Sequence, residues 1–421
     1  MSCGSRAARV SPLKRLFAYA DRTAARLGIS NGTQGAKARK FRAAFRREAL
    51  DKPHTNRRES VRNPSLRGAP AALTSAARNT AADWAEGSLA QAIHLQRSRR
   101  HGMGRNTKWV EGQPEESVEL VARRALAARL GRLWHFLERA VQHEGREVED
   151  VHQLRVFTRR SAAAMRIFED WLPGRRGRWM HKQLKRIRKA AGEARDLDVL
   201  RTRWTEELAE LPAGQSAILL EQVKRRRRRA QWPIEDAFHK LASKRFPRRA
   251  RKLTKRVRYR GPAGGDCGDR LLCVARSSLG ELLTPYFQVA ESTFADPVEL
   301  HAFRIASKQV RYAMEVFAGA FDDSFRQQLY PLVADLQDRL GKINDHVTAL
   351  TYLTAWHNET DADAVRQAIE AGMQVEQQAL DDSQRDFLEW WSAEKREQLR
   401  NQFARYVPFD TPPTQAIEAS A

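Results

Sequence analysis

The chain has 421 residues, with 75 lysines and arginines against 51 acidic residues, which gives a formal net charge of +24. A hydrophobic content of 42% suits a folded globular protein. No apolar run approaches the roughly 18 residues of a membrane span, so composition argues against an integral membrane protein. The charge favours a polyanionic partner but does not say which polyanion it is.

Residues 1–110 carry a net charge of +17 and show broken apolar periodicity. We expect a basic, largely disordered or loosely helical extension, with short helices near 12–28, 36–50 and 82–98. Such an extension either adds polyanion affinity or has no function. The first 25 residues lack the apolar core of a signal peptide, which favours a cytoplasmic protein. Cys267 and Cys273 are then expected to be ordinary thiols.

From about residue 115 the apolar spacing becomes helical. In the first half it predicts an opening helix near 115–137, a second at about 150–170, a third at about 176–208 and a fourth at about 214–260. Gly261 to Gly265 form a flexible link. A second series follows, which opens with Leu271 to Val289 and ends with a helix at about 362–407. Residues 351–421 are acidic, with a net charge of −7.

Two motifs recur in one register. His152, Arg155 and Arg159 are repeated 149 residues later as His301, Arg304 and Lys308. The segment from Ala194 to Asp198 corresponds to the segment from Ile343 to Val347, and the offset between Asp196 and Asp345 is again 149 residues. Two motifs with one offset predict a duplicated unit. We therefore expect one domain over 111–421, made of a first copy at about 115–260 and a second copy at about 266–408.

On a helix, positions i, i+3, i+7 and i+10 form a stripe roughly 80° wide and about 15 Å long. The second copy fills it with His301, Arg304, Lys308 and Arg311. In the first copy Ala162 takes the fourth position, and Arg160 and Arg166 flank it. Like charges on one face repel each other, so the stripe favours an anionic ligand. The alternative is a solvated face, with the histidines bonded to backbone at the start of a helix.

The third helix of the first copy carries a further basic face with Lys182, Lys185 and Lys189, and Arg195 belongs to a neighbouring row. This face is either a continuation of the same site or a solvated stripe. Asp196 and Asp345 have two interpretations as well. They orient motif arginines through charge-assisted hydrogen bonds, or they cap and join helices.

The segments VHQLRVFTRRSAAAMRIFEDWLP with GEARDLDVL, and LHAFRIASKQVRYAMEVFAGAF with LQDRLGKINDHVTAL, resemble the CHAD family, the conserved histidine α-helical domain. The resemblance covers about residues 115–408. It implies an all-α fold of two four-helix bundles related by pseudo-twofold symmetry. It also implies a basic central cavity that binds inorganic polyphosphate, and association with polyphosphate granules. Ala162 departs from the family, which usually has a basic residue there.

The sequence therefore predicts a duplicated all-α protein that binds inorganic polyphosphate, with non-specific nucleic-acid binding as the alternative. Nucleic acid is less favoured because the basic rows contain few aromatic residues for base stacking. An enzyme is not expected, since there is no P-loop, metal-ligand cluster or carboxylate pair at working spacing. No metal, cofactor or membrane partner is expected either. The residues expected to line the cavity are His152, Arg155, Arg159, Arg160, Lys182, Lys185, Lys189, Arg195, His301, Arg304, Lys308 and Arg311.

Overall fold

The computed structural model describes residues 108–142, 148–209, 211–261, 269–294 and 297–409. The helices in these ranges are α1 Val118–Gln142, α2 Val148–Ile167, α3 Gly174–Ala190, α4 Gly192–Glu207, α5 Ala213–Arg229, α6 Trp232–Ser243, α7 Phe246–Thr254, α8 Leu271–Ala290, α9 Pro297–Phe317, α10 Tyr330–His357, α11 Asp363–Trp390 and α12 Ala393–Ala404. Extended pairing in the described ranges is limited to one antiparallel bridge between Ser117 and Arg270. The all-α prediction is confirmed.

Helix α1 shows how the apolar spacing builds the core. All seven residues that the spacing placed on one face, from Val121 to Leu137, are buried. Each fully buried leucine on that face contributes about 1.5–3 kcal/mol relative to an exposed one. The buried face packs against the motif helix α2 and against α6 and α7. None of the described helices is long and apolar enough to cross a bilayer.

Several predicted helices are in fact broken. The third helix of the first copy is two helices, α3 and α4, which meet at Ala191 with φ −90° and ψ 4°. The fourth is three helices, because Pro233 and Pro247 begin α6 and α7. Proline lacks an amide hydrogen and has a fixed φ, so it starts helices and interrupts their interiors. In the second copy Ser392 caps α12 by accepting a hydrogen bond from the Lys395 amide, 3.3 Å away.

Two further expectations concern the N-terminal helices and the cysteines. The helices expected near 12–28, 36–50 and 82–98 lie outside the described residues. The thiol expectation is wrong for Cys273, which is disulfide-bonded, and Cys267 lies outside the described residues.

The two copies meet through equivalent helices. Helix α1 contacts α8, α2 contacts α9, α4 contacts α10, and α5 contacts α11. The two histidine motifs lie on α2 and α9, and the two aspartate motifs lie on α4 and α10. Packing therefore brings all four motifs to one interface. A pseudo-twofold relation between the copies stays a prediction.

A buried ion pair joins α2 to α9 at this interface. Glu315, which is 1% exposed, accepts hydrogen bonds from Arg160 at 2.8 Å and 3.3 Å and from the Tyr330 hydroxyl at 3.0 Å. Arg129 on α1 donates to the Arg160 carbonyl over 3.0 Å, and burial lowers the pKa of Arg129 to about 10. Arg160 was expected in the anion site, but its charge is matched by Glu315.

A second buried network links α4 of the first copy to α10 and α11 of the second. Glu376 accepts from Arg203 and from the indole of Trp204, and it lies 2.7 Å from Nδ1 of His346. Glu376 and His346 are each 1% exposed. Because every partner comes from another helix, the network fixes the relative position of the two copies.

We expect Arg160→Gln to lower the free energy of unfolding by about 3 kcal/mol, because the Glu315 carboxylate would stay buried without its cation. Urea unfolding followed by circular dichroism measures this. The control is Arg228→Gln, which removes an arginine that is 66% exposed and 3.6 Å from Glu221, and we expect a loss below about 0.5 kcal/mol. Equal stability of the Arg160 variant and the parent would contradict the structural role.

Candidate functional site

Three guanidinium groups from the two motif helices lie close together, and we call Arg155, Arg159 and Arg304 the arginine cluster. Burial lowers the pKa of Arg155 to about 10, and the charge of Arg159 is the next cause. The pKa of Arg304 falls to about 10 for the same two reasons, in the same order. Arg159 thus repels an arginine on its own helix and one on the other copy. The packing of α2 on α9 concentrates positive charge at the interface.

The break between α3 and α4 helps to hold Arg155. Its Nη1 donates to the Arg188 carbonyl at 3.2 Å. In a continuous helix that carbonyl would accept from the amide of Gly192. Because the helix turns at Ala191, the Arg188 carbonyl accepts a hydrogen bond from Arg155 instead. The structural break that the sequence pattern did not indicate therefore positions a motif residue.

Several donors of these arginines have no protein acceptor. The Nε atoms of Arg155, Arg304 and Arg311 are buried and make no hydrogen bond to the described part of the chain. Arg159 makes no hydrogen bond and no ion pair there. Buried donors without acceptors are costly, and so are adjacent like charges. A bound anion would relieve both costs.

Two carboxylates lie among the arginines. Asp196 Oδ1 is 3.8 Å from Nη2 of Arg155. Burial raises the pKa of Asp196, while Arg155 and Arg159 oppose that rise and Asp345 adds to it. The Asp196 side chain remains 36% exposed although protein surrounds it, as expected on the wall of a concave surface. Asp196 therefore attracts Arg155 across a distance too long for a hydrogen bond, and whether the motif aspartates orient arginines or cap helices stays a prediction.

His152 and Arg195 extend the cluster on the side of the first copy. Burial lowers the pKa of His152, and Arg195, Arg159 and Arg155 lower it further, against the opposing charge of Glu149. Burial also lowers the pKa of Arg195. The ring of His152 is therefore mostly neutral at pH 7.

On α9, His301 and Lys308 are half-buried beside Arg304 and Arg311. The Arg311 guanidinium lies 5.5 Å from the ring centre of Tyr312. The whole predicted stripe of the second copy therefore follows one helix along the interface with α2.

The lysines of α3 lie elsewhere on their helix. Lys182, Lys185 and Lys189 are exposed. The side chain of α3 that lies near Arg155 is Arg188, whose charge contributes to the lowered Arg155 pKa. The prediction that the three lysines extend the arginine cluster stays a prediction. Arg188 was absent from the expected set, although its spacing of seven residues from Arg195 singled it out.

Lys108 is a second residue that the sequence did not indicate, because it precedes the repeat. Its ammonium lies 3.8 Å from the ring centre of Tyr330 and 4.5 Å from that of Trp109. Burial lowers the pKa of Lys108, and Arg311 and Arg160 lower it further, against Glu315. Positive charge therefore continues from Arg311 to the start of the described chain.

The basic run from Lys224 to Arg229 is only partly solvated. Arg227 is buried and donates to Asp198 at 2.7 Å. Arg226 donates to Glu359 at 2.8 Å and lies 4.8 Å from the ring centre of Trp356. Both therefore connect helices. Arg226 also lines a cavity of about 380 Å³ between α5, α10 and α11.

One group of side chains in the described ranges has the spacing of metal ligands. Donor atoms of Glu207, His346 and Glu376 lie within 4.8 Å of one another. Arg203 donates to both carboxylates. Arg203 offsets one of the two negative charges, and Glu376 and His346 also belong to the network that joins the copies.

The model of the CHAD domain family matches residues 124–354. The match covers more than half of the chain, so this protein belongs to the CHAD domain family. The crystal structure of the CHAD domain from the plant Ricinus communis is similar, with a TM-score of 0.51 and 20% identity over 68% of this chain and 97% of that chain. For PptA from Streptomyces chartreusis the TM-score is 0.49 and the identity 19%, over 66% and 99%. No curated protein sequence matches.

Arg159→Gln is expected to raise the free energy of unfolding by up to about 1 kcal/mol at low salt, since it removes repulsion toward Arg155 and Arg304. The gain should shrink in high salt. Urea unfolding at two ionic strengths measures it. The neighbouring Arg160→Gln is the matched control with the opposite expected sign. A loss as large as that of the control would show that Arg159 is structural.

Proposed function

We propose that the protein binds inorganic polyphosphate at the arginine cluster, with His152, Arg195 and the α9 stripe as flanking contacts. One observation carries this proposal: guanidinium groups from both copies are gathered at one interface, where Arg159 makes no hydrogen bond or ion pair within the described part of the chain. Asp196 and Asp345 supply less negative charge than the arginines supply positive charge. The free protein is therefore left with an unbalanced site.

A linear chain of phosphates suits the shape of this charge. Arg304, Lys308 and Arg311 follow one helix over about 10 Å, and α2 offers a second row opposite. Each arginine can bind two oxygens of a phosphate group. A single small anion would occupy one such arginine site, whereas a chain of phosphates can occupy several in a row. Polyphosphate binding is also the known role of the CHAD family. Association with polyphosphate granules extends this proposal.

Nucleic acid stays the alternative polyanion. The aromatic side chains beside the arginine cluster are Tyr312 and Tyr352, and both are half-buried. Tyr352 interacts with Asp196 rather than presenting a free ring. Base stacking on exposed aromatic residues, the usual support of single-strand binding, is therefore not favoured at the cluster.

The proposed role is binding without turnover. The groups at the cluster are mainly cations, and its two carboxylates already face arginines. This arrangement offers phosphate oxygens counter-charge but no acid beside a nucleophile. We expect the length distribution of polyphosphate to stay unchanged after prolonged incubation with the protein, as resolved by gel electrophoresis.

Replacement of Arg155 and Arg304 by alanine is expected to weaken polyphosphate binding at least tenfold, because each bidentate charged contact is worth about 1.5–3 kcal/mol. Calorimetry with polyphosphate measures this. The control variant carries Lys224→Ala and Arg385→Ala, which remove two exposed cations that already face carboxylates. Unchanged affinity in the first variant, with its helical content intact, would rule out this site.

Binding should tighten as the pH falls below about 6.5, the ordinary pKa of histidine. The arginines hold the pKa of His152 down, and bound phosphate would raise it, so binding takes up a proton. Calorimetry in two buffers of different ionisation enthalpy measures the uptake. His152→Gln should abolish the part of the uptake due to this ring. The same uptake in parent and variant would exclude His152.

A further inference from the structure

A basic surface lies on the outside of the first copy. Residues 244–260 contain ten lysines and arginines, all exposed, and no acidic residue. In the described part of the chain, none of these ten forms an ion pair, unlike Arg366 and Arg385 of α11. The non-basic positions Phe246, Ala250 and Leu253 are buried. The exposed face of α7 therefore consists of uncompensated cations.

Helix α3 continues this surface. Its exposed row includes Arg178, Lys182 and Lys189. The two helices pack together, and the Arg249 guanidinium of α7 lies 4.8 Å from the ring centre of Trp179 on α3. We define the outer basic surface as Arg178, Lys182 and Lys189 on α3 together with Arg248 and Lys252 on α7 and Arg256 just after its end.

The outer basic surface connects with the arginine cluster at the end of α3. The carbonyl of Arg188 accepts the hydrogen bond from Arg155, and Lys189 is the next residue. From Arg188 back to Trp179, α3 runs about 13 Å. A row of exposed cations therefore leads from the cluster to α7. The second copy lacks this row, since Gln327, Pro331, Ala334 and Asp338 stand where α3 has its four bases.

We infer that the outer basic surface is a second contact site for the same polyphosphate chain. A chain too long for the cluster leaves it along α3 and crosses α7, so affinity rises with chain length. This inference rests on the proposed function and adds a length preference to it. A lipid surface or single-stranded nucleic acid fits less well, because the exposed face of α7 carries cations, and the one exposed aromatic side chain of residues 244–260, Tyr259, packs against Trp171 with ring centres 5.2 Å apart.

The test compares three variants of the full chain. The outer variant carries Arg248→Gln, Lys252→Gln and Arg256→Gln. The control variant removes the same charge through Lys224→Gln, Arg366→Gln and Arg385→Gln, all of which face carboxylates. The cluster variant carries Arg155→Ala and Arg304→Ala. Each is titrated with tripolyphosphate, long-chain polyphosphate and duplex DNA at several salt concentrations.

The outer variant is expected to bind long-chain polyphosphate about tenfold more weakly, with a salt dependence reduced by about two in slope. Its tripolyphosphate affinity should match the parent, which also shows that the fold is intact. Parent-like affinity for the long chain, or a loss no larger than that of the control variant, would overturn the inference. So would a loss confined to duplex DNA. A different result would contradict the proposed function itself: the cluster variant would bind tripolyphosphate as tightly as the parent.

Discussion

The mutual repulsion of arginines from two copies is the constraint on which the rest of the structure depends. Burial lowers the pKa of Arg155 and of Arg304, and the nearby charge of Arg159 lowers both further. The fold tolerates this because α2 and α9 are anchored on other faces by apolar packing and by the buried pair of Arg160 with Glu315. Under the proposed function, a bound phosphate chain would relieve this repulsion, so the repulsion that costs stability would supply affinity.

Adjacent arginines serve opposite purposes as a consequence of helix geometry. Arg159 and Arg160 differ by about 100° around α2, which turns one toward the cluster and the other toward Glu315. The same division appears along the basic run of α5, where Arg227 pairs with buried Asp198 while Arg228 remains exposed. The net charge of the chain therefore overstates the positive charge available to a ligand, because some arginines form ion pairs that join helices.

The two copies contribute unequally. In the first, the turn at Ala191 frees the Arg188 carbonyl for Arg155, and α3 carries an exposed basic row toward α7. In the second, α10 passes through the equivalent position without a break, and its outer face is not basic. The second copy carries an additional cation on its motif helix, because Arg311 occupies the position that Ala162 has in the first copy. The two copies share the motif spacing but place different sets of cations at their interface.

The sequence by itself determined the helical class, the recurrence of two motifs at one offset and the motif stripes, because apolar period, offset and charge spacing are read directly along the chain. It did not determine that Arg160 would be neutralised, since Glu315 lies 155 residues away on another copy. The sequence also did not predict the helix breaks at Ala191, Pro233 and Pro247, or the position of Lys108 near Arg311. Only the packing of α2 on α9 decided which cations face one another, because pairing across copies depends on helix rotation and contact, which local spacing does not encode.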